Sequence, residues 1–264
     1  MFNRFLSISL IAVLSCLGLT SCGGGGGGDS KSSSSCNFFK VINGEECRSD
    51  SLPIVRLEIF GTQGNVICTG TIASQDTVLT AAHCVFQASR VIAVHDRGSI
   101  EANSATLNPL WFTQSSSQRL PAGALVNPAF DVAVVNFPGI ANLLGLPPVD
   151  IELSNAVKAG DQIDLVGFGE DGTGQPLING NPRGTSIRVE AVEDGMIFSR
   201  FNSTNSGACR GDSGGGVFAS GRLVGFVSGG ANNCGAGNLS WFAWAQNQGN
   251  YDFIRSTAPQ VNFR

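Results

Sequence analysis

The chain has 264 residues, 42% of them hydrophobic and only 14% charged, a composition too apolar for a disordered protein. Its formal net charge is −4, from 16 basic and 20 acidic residues, which argues against nucleic-acid binding because phosphate recognition needs a basic face. Phosphate-binding loops and zinc-type Cys/His spacings do not occur in the sequence, so we expect no cofactor and no metal.

The first 22 residues have the pattern of an export signal. Arg4 supplies a positive start, and the apolar run over residues 6–19 is too short for a comfortable membrane span. The run ends in Leu19-Thr20-Ser21-Cys22, which resembles a bacterial lipobox. The resemblance implies a lipid anchor on Cys22 in the bacterial cell envelope, at the outer membrane because Gly23 rather than Asp follows. The alternative is an ordinary cleaved signal and a secreted protein.

Residues 23–40 have the composition of a tether and propeptide. They are rich in glycine and serine, as a flexible linker is. The six consecutive glycines at 23–28 do not indicate a phosphate cradle, because no predicted strand precedes them. One globular domain is expected over residues 41–264.

Short apolar runs separated by Gly, Asn and Pro turns dominate that domain and predict an all-β fold. A short helix over Tyr251–Thr257 is expected to close the chain, since Pro259 prevents easy extension. The predicted strands are Ile54–Phe60, Val66–Ile72, Thr77–Leu79, Val91–Val94, Val132–Phe137, Gln162–Val166, Ile187–Val192, Gly216–Ala219 and Leu223–Val227.

The stretch Gly211-Asp212-Ser213-Gly214-Gly215 predicts a nucleophile and its oxyanion donors. A serine hydroxyl reacts only when a base takes its proton and donors stabilise the resulting oxyanion. The glycines allow a tight turn that aims the N–H groups of Gly211 and Ser213 at one point. An ordinary glycine-rich turn is the alternative for this motif alone.

A base and an orienting acid can be named upstream of the serine. His83 stands in Leu79-Thr80-Ala81-Ala82-His83-Cys84, where an apolar strand meets small residues. The other histidine, His95, is predicted to be the exposed end of a strand with no catalytic role. Asp131 begins an apolar run typical of a buried strand, where an acid can hold an imidazole. By itself, Asp131 could equally be a turn residue.

The order His83, Asp131, Ser213 and the three neighbourhoods resemble the chymotrypsin/trypsin family of serine endopeptidases over about residues 41–258. The resemblance implies two six-stranded antiparallel β-barrels with the catalytic cleft between them, and protein or peptide substrates. It also implies that Ser213 attacks the scissile carbonyl, His83 is the general base and then the acid, and Asp131 orients His83. The alternative is a catalytically silent relative that serves as a lipid-anchored binding module.

The resemblance also implies two disulfides, Cys68–Cys84 beside the histidine and Cys209–Cys234 beside the specificity pocket. Cys16 leaves with the signal and Cys22 carries lipid, so elimination then leaves a third pair, Cys36–Cys47. An exported chain favours such bridges over free thiols.

Lys40-Val41-Ile42-Asn43-Gly44 resembles the activation site of the family, with cleavage after Lys40 by an activating protease. The resemblance implies that the new amino group of Val41 pairs with Asp212 and thereby shapes the oxyanion loop. The alternative is that Lys40 merely ends a linker.

The specificity pocket is expected to be uncharged. Counting from the family pattern places Gly207 at its floor, where trypsin-like members carry Asp, and Ser228-Gly229-Gly230 along its wall. The family usually has Trp where Gly229 stands, so the wall is expected to be altered and looser. We therefore expect a preference for apolar or aromatic side chains before the cut.

Overall fold

Antiparallel strands form most of the regular structure. The structure, a computed structural model, describes residues 40–46, 52–62, 64–113, 118–119, 125–170, 181–201, 207–230, 234 and 237–264, with the backbone alone at 40–46, 118–119 and 125. The strands are, in chain order, β1 (Lys40–Glu46), β2 (Ile54–Gly61), β3 (Gly64–Ile72), β4 (Thr77–Thr80), β5 (Ala88–His95), β6 (Gly98–Glu101), β7 (Ser104–Leu107), β8 (Gln118–Arg119), β9 (Leu125–Val126), β10 (Ala133–Asn136), β11 (Gln162–Gly167), β12 (Arg183–Arg188), β13 (Ala191–Glu193), β14 (Met196–Arg200), β15 (Gly216–Ala219), β16 (Arg222–Gly230) and β17 (Leu239–Trp244).

The helices of the described residues are short. The α-helices are α1 (Ala82–Val85), α2 (Ile140–Leu144) and α3 (Gln248–Thr257), and two 3₁₀ helices span Pro109–Phe112 and Pro128–Phe130. None of the helices in these ranges is long and apolar enough to cross a membrane.

Two antiparallel sheets organise these strands. The first has seven strands in the order β6-β5-β2-β3-β4-β10-β7, and the second has eight in the order β1-β12-β11-β15-β16-β17-β14-β13. The short pair β8-β9 stands apart. The predicted all-β class with two antiparallel units and a closing helix is confirmed. Each sheet has more than the six strands expected, because short edge strands such as β6 and β13 lengthen them.

The three largest apolar clusters of the described residues pack against the sheets. One fills the first sheet and includes Val55 and Leu57, and a second fills the other sheet around Leu165 and Phe242. The third joins side chains from both sheets, and Ile254 of α3 packs into it. Because burial of apolar area is the main driving force for folding, this shared core fixes the two sheets against each other.

The helix α3 also fastens the sheets through one buried amide. Asn250 has no exposed surface, and its Nδ2 donates to the carbonyl of Ala129 at 2.7 Å and to that of Trp244 at 2.8 Å. Its Oδ1 accepts from Asn108 Nδ2 at 2.9 Å. Asn108 and Ala129 flank the first sheet, whereas Trp244 ends β17 of the second. Asn250 therefore joins both halves beside the cleft.

Disulfides Cys68–Cys84 and Cys209–Cys234 are present, as the family resemblance implied. The first joins β3 to α1. The second closes a loop with a sequence separation of 25 residues. Cys36 and Cys47, the third expected pair, lie outside the described residues, as does the lipidation candidate Cys22.

Candidate active site

His83 lies at the point where the first sheet gives way to α1. β4 ends at Thr80, and α1 begins two residues later, so His83 lies just beyond the end of an interior strand. The backbone N–H of His83 donates to Asp131 Oδ1 at 2.8 Å, and His83 Nδ1 lies 2.6 Å from Asp131 Oδ2. A carboxylate only accepts, so Nδ1 carries the hydrogen and Nε2 is left to act as a base.

Asp131 is buried and accepts three hydrogen bonds, two from His83 and one from Ser228. It follows the 3₁₀ helix Pro128–Phe130, and only 2% of its surface is exposed. Besides the two bonds from His83, its Oδ2 accepts from Ser228 Oγ at 2.7 Å. The register of β16 and β17 shifts between Val227 and Gly229, and this bulge contains Ser228. Bulges beside active sites commonly re-aim a side chain, and this one directs a hydroxyl at the carboxylate.

The environment of His83 favours its protonated form. Burial lowers the pKa of the imidazole, but the charge of Asp131 and its hydrogen bond raise it, and the net shift is upward. Asp131 therefore stabilises the imidazolium that forms when the base takes a proton.

The turn around Ser213 is fixed from three directions. The carbonyl of Ser213 accepts from Thr69 N at 2.9 Å, and Gly214 N donates to the carbonyl of Val227 at 2.7 Å. Gly215 N donates to Asp212 O at 2.8 Å. Contacts to β3 and β16 thus place the serine between the two sheets.

The N–H groups of Gly211 and Ser213 are the predicted oxyanion donors. Gly211 has a φ of 95°, which only glycine adopts readily, and this conformation sets the direction of its peptide. Within the described part of the chain, neither Gly211 N–H nor Ser213 N–H has a hydrogen-bond acceptor. Two free donors on adjoining turns are what a developing oxyanion requires.

His83, Gly211 and Ser213 line the same open cavity of about 530 Å³. No hydrogen bond links Ser213 Oγ to the imidazole in the described residues, although both groups face this cavity. Bonds of this kind are often long in the unliganded state and tighten when substrate binds.

Thr69 is a site residue that sequence reasoning did not find. It has no exposed surface, and its Oγ1 donates to the carbonyl of Gly211 at 2.8 Å while accepting from Phe168 N at 3.0 Å. It therefore connects β3 of the first sheet to the oxyanion turn of the second. A buried threonine in an apolar strand gives no sequence signal for such a role.

Asp212 is buried beneath the same turn. Its carboxylate accepts from Gly169 N at 2.8 Å and from Cys209 N at 2.9 Å. Burial raises the pKa of Asp212 to about 7, even though those two hydrogen bonds and the charge of Arg183 act in the opposite direction. A cation beside this carboxylate would lower the pKa again.

A second cavity, of about 170 Å³, opens beside Ser213 and is the candidate specificity pocket. Gly229 and Gly230, which were predicted for its wall, line it together with Ala208 and Val227. Both cysteines of the Cys209–Cys234 disulfide and Arg210 complete the lining. The lining side chains are uncharged apart from Arg210, which is exposed.

The other two predicted pocket residues are placed differently. Gly207 is not among the lining residues; a Cβ on it would stand 3.2 Å from Phe201 Cβ and 3.3 Å from Ser240 Oγ. Ser228 faces Asp131 instead of the cavity. Ser240, which the sequence did not suggest, accepts from Ala208 N at 3.1 Å and lies behind the pocket wall.

Potential metal ligands come together once in the described residues, at Cys68, His83 and Cys84. The two cysteines are joined in a disulfide, so their sulfur atoms are not available as thiolates.

The prediction for His95 was wrong in one respect. It does end β5, but it is 8% exposed, and its Nδ1 lies 2.5 Å from Asp96 Oδ1.

Comparison with known proteins identifies the class. The Trypsin family profile matches residues 41–248, and the chain belongs to this family. It is therefore a chymotrypsin-like serine endopeptidase, a hydrolase that acts on peptide or protein substrates.

Individual relatives come from several animals. The chain is 28% identical to Chymotrypsin-2 of Vespa crabro, over 66% of this chain and 82% of the relative. It is 26% identical to Duodenase-1 of Bos taurus, over 74% and 81%. A solved structure of HL collagenase shares the fold with a TM-score of 0.64 and 22% identity, over 83% of this chain and 99% of the other.

Proposed function

We propose that Ser213, His83 and Asp131 hydrolyse peptide bonds through an acyl-enzyme. The observation that carries this proposal is the network at Asp131, which accepts from His83 N, His83 Nδ1 and Ser228 Oγ while His83 and Ser213 face one cavity. A buried carboxylate that fixes the tautomer of an imidazole on the wall of a cleft is the arrangement that a general base requires.

The reaction begins when Ser213 Oγ attacks the scissile carbonyl and His83 Nε2 takes its proton. The N–H groups of Gly211 and Ser213 stabilise the oxyanion of the tetrahedral intermediate. His83 then gives its proton to the leaving amine, and Asp131 holds the ring in the required tautomer throughout. A water molecule then attacks the acyl-enzyme, with His83 again taking a proton and returning it to Ser213 Oγ. This step releases the acid product and restores Ser213.

Covalent labelling with a fluorophosphonate tests this assignment. We expect the probe to label Ser213 in the wild-type chain and to label neither Ser213→Ala nor His83→Ala. The measurement is made before and after cleavage at Lys40 with immobilised trypsin, which is then removed. Labelling at another residue, or none in either form, contradicts the proposal and favours a silent binding module.

The proposed pocket selects uncharged side chains before the cut. Its support is the lining of Ala208, Val227 and two glycines, with no carboxylate to attract Lys or Arg. A kinetic panel of substrates that differ only at this position tests it. We expect aromatic and apolar residues to be cleaved fastest, and a clear preference for Lys or Arg would refute the pocket assignment.

Activation is proposed to follow cleavage after Lys40. In the uncut chain, the Lys40–Val41 bond lies within β1, where Lys40 pairs with Gly184. The buried carboxylate of Asp212, whose pKa burial raises to about 7, is the proposed partner of the new amino group. A buried charge is stabilised strongly by such a pair, so we expect cleavage to hold the turn of Gly211 and Ser213 more firmly in place.

An enzyme without a pocket carboxylate should not cut well after Lys40 itself. We therefore expect the pure chain to remain uncut on storage and to become active only when another protease is added. Self-activation would contradict this. A Lys40→Gln chain treated with trypsin is the matched control and should stay inactive.

The remaining proposals concern the N-terminal region. We propose that Cys22 carries lipid at the outer membrane and that Cys36 pairs with Cys47. In a Lys31→Gln/Arg48→Gln chain, where Lys40 is the sole trypsin site between Cys22 and the end of the proposed loop, cleavage after Lys40 releases the catalytic domain from its anchor only when a reductant is present. Release of that variant without reductant refutes the bridge. A wild-type chain that carries no added lipid mass, and that is found in the same fraction as Cys22→Ala, refutes the anchor.

A further inference from the structure

The pocket wall at Gly229 is covered by a side chain from the neighbouring strand. Gly229 of β16 pairs with Trp241 of β17. A Cβ on Gly229 would stand 2.6 Å from Trp241 Cε2 and Cζ2 and 2.8 Å from Nε1. The indole therefore lies against the glycine and fills the space where a side chain at position 229 would stand.

Packing, not polar contact, holds this indole. Trp241 is partly exposed, while its Nε1 is buried without a hydrogen-bond partner in the described residues. Its neighbour Ser240 points to the other face, where it bonds Ala208 N behind the pocket. Successive side chains of a strand alternate between faces, so Trp241 stands on the face outside the pocket.

The adjoining edge of β16 is open to a substrate. In the described residues, β15 pairs with β16 no further than Phe226, and Val227 bonds only the preceding turn, donating to Gly215 O and accepting from Gly214 N. Beyond it, Gly229 and Gly230 line the pocket beside Ser213. An extended peptide with its carbonyl at Ser213 can run along this edge as an added strand.

We propose that Trp241 is a specificity-determining residue of this endopeptidase. Its indole forms an apolar surface for the substrate side chains two to four positions before the cleaved bond. The wall is thus not looser than in relatives with Trp at position 229, because the ring is supplied from β17 instead of β16. The inference rests on the proposed function, since it needs Ser213 to mark the cleavage position.

Three substrates with the same pocket residue test the inference. One is a single-residue ester, one a tetrapeptide with apolar residues before the pocket residue, and one the same tetrapeptide with serines there. The enzyme is used in whichever form labels with fluorophosphonate. We expect Trp241→Ala to lower kcat/KM for the apolar tetrapeptide about tenfold, with little change for the ester or the serine peptide.

Two further variants test whether the preference comes from the aromatic ring itself or from the strand that carries it. Trp241→Phe should keep most of the preference, because the lost N–H has no partner. The exchange variant Gly229→Trp/Trp241→Val moves the ring to β16 and should restore the preference for the apolar tetrapeptide. If Trp241→Ala does not fold, the exchange variant decides, and its failure to show that preference overturns the inference.

The outcomes distinguish this inference from the proposed function. If the wild-type chain does not label at Ser213, both are overturned. If it labels, and Trp241→Ala changes the ester and the two tetrapeptides by the same factor, the proposed function stands. Trp241 then has only a structural role.

Discussion

Two threonines on β3 offer a direct measurement of what holds the oxyanion turn in place. Thr69 and Thr71 are both fully buried and point to the same face of the strand. Thr69 Oγ1 makes two hydrogen bonds, to Gly211 O and from Phe168 N, whereas Thr71 Oγ1 has no partner in the described residues. Replacing each threonine with valine keeps the shape of the side chain and exchanges only the hydroxyl for a methyl group.

The two variants are expected to change the free energy of unfolding by different amounts and in different directions. Thr69→Val leaves the buried N–H of Phe168 and the partly buried carbonyl of Gly211 unpaired, at about 1–3 kcal/mol each and less for the carbonyl, so we expect the free energy of unfolding to fall by about 3 kcal/mol. For a domain of this size that corresponds to a melting temperature lower by about 6–12 °C. Thr71→Val removes an unpaired buried hydroxyl and should be neutral, or stabilising by up to about 1 kcal/mol.

Urea unfolding of the uncut chain, followed by tryptophan fluorescence, measures both values. Fluorophosphonate labelling of the activated chain gives the functional result. Thr69→Val should label more slowly, because the Gly211 peptide loses its tie to the first sheet. Equal destabilisation by the two variants would refute the reasoning, since the hydrogen bonds are the difference between them.

Three other predictions concern charge and crosslinks. Asp131→Asn removes an attraction of about 4 kcal/mol on His83 at an effective dielectric of about 20, so kcat/KM should fall about 10³-fold; the pKa of His83 falls as well, and the acid limb of the pH–rate profile should move to lower pH. Glu152, whose pKa is lowered to about 2 chiefly by hydrogen bonds from Ser154, stabilises the fold above its unfolded pKa of about 4.5. Glu152→Gln should therefore lower the melting temperature at pH 7 and have progressively less effect as the pH falls from about 4.5 to about 2; an effect that does not vary with pH contradicts this. Replacing Cys209 and Cys234 together with serine should lower the unfolding free energy by about 3.5 kcal/mol, from the loop they close, and raise KM, because both line the pocket.

The chemistry of the site was more predictable than the scaffold that positions it. Ser213, His83 and Asp131 stand in motifs where only a few residue types suit the reaction, and the structure brings their stretches to one cleft. Ser228 and Thr69 are different, because the role of Ser228 depends on a bulge and that of Thr69 on a contact between residues 142 apart in sequence. Nothing in the local pattern indicates either contact.

Two of the strands that the sequence did not predict, β6 and β7, were missed for the same physical reason. β6 and β7 form the two edges of the first sheet, and their side chains are mostly exposed or only partly buried. An edge strand with two solvated faces needs no apolar alternation, so hydrophobic periodicity does not predict it. β17 is apolar and lies inside the second sheet. The sequence does not indicate that Trp241 lies against Gly229, because that contact depends on the register between β17 and β16.

The position of Asn250 in the chain has a consequence for the timing of assembly. The amide that joins the two halves belongs to α3, which follows His83, Asp131 and Ser213 in the sequence. A ribosome completes this segment after every residue of the reactive cluster has been made. A growing chain therefore lacks this fastening until α3 has been made, and the two halves can be joined at Asn250 only after the reactive residues are already present.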